Sequence, residues 1–92
     1  MLQNNKKIVD IKLGSEVLKA SVPTLLSASD LISKQTKGEI SDIEFSLNFL
    51  FLALKNENPD LTLEELQNYI TVDMASDLAD AFTILGINPK KK

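Results

Sequence analysis

The side chains that could do chemistry in this chain are few, and each cluster of them is missing a partner. There is no cysteine and no histidine. Thiol nucleophiles, disulfides, the usual general base and the commonest metal ligand are therefore excluded. Glu64 and Glu65 are paired carboxylates, but residues one apart on a helix point ~100° away from each other and do not converge. Both suit the first turn of a helix, where the positive end of the dipole favours acids. The run Asn56-Glu57-Asn58-Pro59-Asp60, with Glu64 and Glu65 after it, offers oxygen ligands in the manner of a calcium loop. It has Pro where such a loop needs its central Gly, so the spacing of an EF-hand is not met. Asp73, Asp77 and Asp80 fall on one helical stripe and could share a hard cation. Without a fourth ligand from elsewhere, the stripe reads as a solvated face. No Ser stands three residues before a Lys, so the Ser-x-x-Lys nucleophile is absent. Gly14, Gly38 and Gly86 are isolated and are explained by one turn and two helix ends, which leaves no phosphate loop. The expectation is a protein that is not an enzyme, with no catalytic residue, no metal site and no cofactor.

Charge limits the partners. All ten basic residues are lysines. Five of them (Lys6, Lys7, Lys90, Lys91 and Lys92) sit near the ends, which leaves five against 13 acids over residues 8–89 and a net charge of −8 there. From Asn56 to Pro89 there are seven acids and no base. A nucleic-acid duplex would be repelled by this half, and the absence of Arg removes bidentate reading of phosphate or guanine. The expectation is no nucleic acid and no membrane. The longest apolar stretch, Ile43 to Leu54, is interrupted by Glu44, Ser46 and Asn48 and falls short of the ~20 residues of a membrane span. The start, MLQNNKK, has no apolar run behind its lysines, so no signal peptide is expected.

The 92 residues, with 43% hydrophobic and 25% charged side chains, suit one modest core. The pattern predicts an α+β fold, mainly α, in which an N-terminal β hairpin packs on a bundle of about four helices. A single globular domain is expected over 7–87, between a flexible tail at 1–6 and a basic tail at 88–92. The hairpin covers 7–22. If Gly14-Ser15 is its two-residue loop, Leu13 faces Glu16, Ile11 faces Leu18 and Val9 faces Ala20, so that the apolar partners coincide, while Asp10 meets Lys19 on the wetter face. The helices lie at about 23–36, 41–56, 62–70 and 73–85. Pro23 is placed at the first position of the first helix, whose inner face carries Leu25, Ala28, Leu31, Ile32 and Gln35. Ser41 with Glu44, and Thr62 with Glu65, are capping boxes, the second reinforced by a staple of Leu61 and Leu66. Asp73 is the expected cap of the last helix, with Met74, Leu78, Ala81, Phe82 and Leu85 on its buried stripe. Gly86 ends that helix, with Ile87 folding back on Phe82.

The helix at 41–56 is apolar on two sides. Ile43, Leu47, Leu50 and Leu54 cluster as a core stripe, and Phe45, Phe49 and Leu52 lie opposite. Two accounts of the second face stand open. Either this helix is central and wrapped on all sides, or Phe45, Phe49 and Leu52 form an exposed patch for self-association or for a partner's amphipathic helix. These three are the candidate partner-binding residues.

The hairpin IKLGSEVLKA, the uncharged-to-apolar middle and the boundary LKNENPDLTLEEL together resemble the small tail assembly chaperones of long-tailed bacteriophages, especially those of Gram-positive hosts. The resemblance runs through roughly residues 8 to 86. Members of that family often show Gly-Lys and an aromatic in the hairpin, where this chain has Gly14-Ser15 and Val17. The resemblance implies a non-enzymatic protein of the host bacterial cytoplasm, absent from the mature virion, that coats the tape measure protein and recruits tail tube subunits. It also implies a second reading of Lys90-Lys91-Lys92 besides a solvated tail. Many such genes make an extended product by ribosomal frameshifting, and successive lysine codons are A-rich enough to slip. The alternative from another class is a small acidic adaptor or regulatory protein, including a degenerate helix-turn-helix that binds protein instead of DNA. For a DNA reader, LTLEELQNYI would lead into a second helix bearing Asp73, Asp77 and Asp80, the wrong charge for a major groove.

Overall fold

A two-residue loop joins antiparallel strands only if its backbone twist matches theirs, and Gly14 supplies that match with a φ of +63°. Ser15 keeps an ordinary φ, giving the sign pattern of a type II′ turn. The computed structural model describes residues 7–86. In it β1 (Ile8–Leu13) and β2 (Glu16–Ser21) pair with Leu13 opposite Glu16, Ile11 opposite Leu18 and Val9 opposite Ala20, the register dictated by the apolar alternation. Ile11, Leu13 and Ala20 are fully buried on the inner face. On the outer face Lys19 Nζ lies 2.9 Å from Asp10 Oδ1. That hydrogen bond, and then the charge of Asp10, raise the Lys19 pKa above its ordinary value.

Helix α1 (Leu25–Thr36) starts later than the position of Pro23 suggests. Its cap is Thr24, whose hydroxyl accepts from the Ser27 N–H. Placing Pro23 at the first helical position would have made Val22 the cap, and Val22 has no side-chain acceptor. The helix ends in a Schellman arrangement, with Gly38 at φ +79° and the Glu39 N–H donating to the Lys34 carbonyl at 2.8 Å. Ala28 is buried, and Leu31 and Ile32 pack on the core. Leu25, expected on the same face, is exposed, because the packing of α1 on α2 begins only at Ala28.

Helix α2 (Asp42–Lys55) opens with the full Ser41/Glu44 capping box, at 3.1 and 2.9 Å. It is the central element, packed by α1, β2 and α3. Phe49, Leu50, Ala53 and Leu54 are buried. At its end the Asn58 side-chain amide donates to the carbonyls of Leu54 and Lys19, both at 2.8 Å, and so ties α2 to β2. Lys55 Nζ donates to the carbonyls of Pro59 and Leu61 and fastens the following turn. Within the Asn56–Asp60 run, the Asn58 side chain is thus committed to the backbone.

Helix α3 (Leu63–Tyr69) carries the Thr62/Glu65 capping box, with Leu66 buried and Leu61 packed on the core. The last helix differs from expectation. A 3-10 turn (Val72–Met74) precedes α4 (Ala75–Ile84), and Asp73 does not cap it. The Asp73 carboxylate accepts the Thr71 hydroxyl, and Asp73 lies inside the 3-10 turn, past the extended Thr71 that holds the cap position. Ala81 and Leu85 are buried, with Leu78 and Phe82 packed beside them. Gly86, at φ +93°, ends the helix. The fold-back of Ile87, and the tails at 1–6 and 88–92, lie outside the described residues. Helix α4 rests chiefly on β1. The architecture is α+β, mainly α: a two-stranded hairpin and four helices.

Candidate protein-binding groove

Phe45, Phe49 and Leu52 do not make an exposed patch. Phe49 is only 3% exposed, and Phe45 and Leu52 are half-buried against the core. The Phe45 ring stacks on Phe49 with centroids 5.9 Å apart, and Phe49 meets Phe82 of α4 edge-on at 6.1 Å. Burial thus puts Phe49 in the core and leaves Phe45 and Leu52 half-buried against it, where the neighbours of α2 wrap it. The expected core residue Ile43 is the one turned out, at 72% exposure.

Ile43 belongs to a groove. The capping box starts α2 at Asp42, and the first turn projects beyond the residues that reach the core. Asp42, Ile43, Ser46 and Leu47 form one wall. The opposite wall is the junction between α3 and α4. There Ile70 and Thr71 are extended, and the 3-10 turn that follows leaves Val72 92% exposed. Ile70, Thr71, Val72, Ala75 and Leu78 line this side, and the groove between the walls has a volume of about 380 Å³. Among the described residues its only charged lining residue is Asp42, whose Oδ1 accepts from Gln35 Nε2 at 3.1 Å. A second depression of about 370 Å³, lined by Leu18, Leu61, Leu66 and Tyr69, is bordered by Glu16 and Glu65.

The acidic stripe is broken. Asp77 turns away from Asp73 and Asp80, and its Oδ2 accepts from the Gly14 N–H at 2.7 Å. Close by, the Tyr69 hydroxyl donates to the Leu13 carbonyl at 2.7 Å. Asp77 and Tyr69 therefore position the hairpin tip. Among the described residues, no group of three or more His, Cys, Asp or Glu could hold a metal ion. Every buried side-chain polar atom among them has a hydrogen-bond partner. No helix among them is long and apolar enough to cross a membrane.

Sequence reasoning missed both lips of the groove. Ile43 fits the stripe of α2 by periodicity, which does not say where along a helix its neighbours stop. Val72 carried the better signal, as a β-branched apolar residue that belongs to none of the expected stripes. No protein-family model, curated protein or solved structure compared with the chain matches it.

Proposed function

We propose that this protein is a non-catalytic assembly chaperone, and specifically a phage tail assembly chaperone that binds the tape measure protein, recruits tail tube subunits and is left out of the mature virion. The observation that carries the reading is the apolar groove with Ile43 and Val72 exposed at its lips. Large apolar side chains rimming a concave surface are a liability in a free monomer and an asset in a protein that must hold another. The resemblance of the hairpin and of the LTLEEL boundary to the chaperone family supplies the partner.

The test is co-expression with a tape measure protein and a tail tube protein of a long-tailed phage. The tape measure protein should become soluble and co-purify with this chain, and tube subunits should join the complex. An equally insoluble tape measure protein, with nothing retained on the tagged chain, overturns the reading. The acidic-adaptor alternative is favoured by the net charge of −8 over residues 8–89. It predicts a small soluble basic partner in place of a long helical one, so the size of the captured protein separates the two.

A further inference from the structure

We infer that the groove between α2 and the α3–α4 junction seats a basic amphipathic helix, and that Ile43 and Val72 are the residues that grip it. The inference rests on the proposed function only in requiring a protein partner. The helical form of the occupant follows from the walls. They are built from α2, the 3-10 turn and α4, whose backbone groups are largely spent within the helices. The extended stretch, Ile70 and Thr71, is too short to pair with a strand. An occupant must therefore satisfy its own backbone hydrogen bonds, and a helix does so. Its apolar residues, spaced one turn apart along about 5.4 Å of axis, would enter between Ile43 and Val72 and rest on Leu47 and Leu78.

The sign of its charge follows from the rim. Asp42 is the only charged residue among the described residues of the lining, Asp73 stands next to Val72, and the α3–α4 segment that builds the second wall holds no base. Lysine or arginine flanking the apolar residues of the incoming helix would meet these carboxylates. Acids there would be repelled.

Two alanine-rich peptides with the same leucines one turn apart test this, one flanked by lysines and the other by glutamates. Binding to the full chain is read by fluorescence anisotropy. The lysine peptide should bind at least about ten-fold more tightly, and added salt should reduce the difference. Ile43→Asp combined with Val72→Asp should weaken the lysine peptide by at least about ten-fold. Helicity and melting temperature should be unchanged, since both side chains are exposed. Equal binding of the two peptides, or unimpaired binding by the double variant, overturns the inference. So does failure of both peptides with a chain that sediments as an oligomer and becomes monomeric in the double variant, because the groove would then belong to a second copy. If tape measure protein still co-purifies with the double variant, the groove inference fails and the chaperone reading stands. If no tape measure protein co-purifies but the lysine peptide binds at Ile43 and Val72, the reverse holds.

Discussion

Asp77→Ala should destabilise the fold far more than its place on a polar helical stripe suggests. In a two-residue hairpin the N–H of the first loop residue has no place in the strand ladder, so the Gly14 N–H needs an acceptor from elsewhere. Asp77 Oδ2 provides it at 2.7 Å across 63 residues of sequence, in a part-buried setting. A hydrogen bond to a charged group contributes roughly 1.5–3 kcal/mol, and partial exposure of this one places it at the lower end, about 1.5–2 kcal/mol. For a domain of this size that corresponds to a fall in melting temperature of roughly 6–16 °C. Urea unfolding followed by circular dichroism measures the loss. Asp77→Asn keeps an acceptor oxygen and should recover part of it. Asp80→Ala, one turn along the helix and exposed, is the control and should stay within about 0.5 kcal/mol of the natural chain. If Asp77→Ala is as mild as Asp80→Ala, the hairpin tip is not held from α4 and the argument fails.

Phe49→Ala should cost about 3–5 kcal/mol, and Phe49→Asp should leave no cooperative unfolding transition, whereas a folded Phe49→Asp protein would contradict its burial. Thr62→Ala should cost about 1 kcal/mol by removing the cap of α3, with urea midpoints as the readout and no change as the contrary result. Because Lys19 has a raised pKa, its pairing with Asp10 contributes fully below the ordinary lysine pKa and is lost as the pH rises through the raised value. An NMR titration should show that value falling back in Asp10→Asn, and an unaltered titration would refute the pairing. A generic DNA duplex should not be shifted in a gel at physiological salt, given no Arg and a net −8 over residues 8–89. A discrete complex at low micromolar protein would contradict this.

What could be read from the sequence was local. The hairpin register was legible because a period of two and a glycine at the turn leave one solution, and a slip by one residue would expose Ile11 and Leu13 together. The starts of α2 and α3 were legible because Ser41/Glu44 and Thr62/Glu65 satisfy backbone donors within four residues. Where tertiary neighbours decide, the same rules failed. Periodicity put Ile43 and Leu25 inside, but each lies in a first turn that extends past the helix it packs on. Phe49 is core because α1, β2 and α3 surround α2 and Phe82 of α4 meets its ring, which the periodicity of α2 does not encode. Asp73 has the composition of a cap, yet the 3-10 turn begins at Val72 and takes Asp73 inside it. The groove itself could not be read, since its walls are joined by no local pattern and meet only through the packing of α2 and α3.

The attachment of α4 to β1 also sets an order of assembly. Helix α2 packs on α1 and α3, its neighbours in the chain, while the bonds that bring α3 and α4 to the hairpin tip close loops of 56 and 63 residues. Closing such loops carries the larger entropic cost, so this seam forms late and parts early. Amides of α4 should then exchange with solvent through a partial opening that leaves α2 protected. That opening removes one wall of the groove, so an occupant holding the walls together slows it by mass action. Exchange along α4 is thus a built-in gauge of whether the groove is filled.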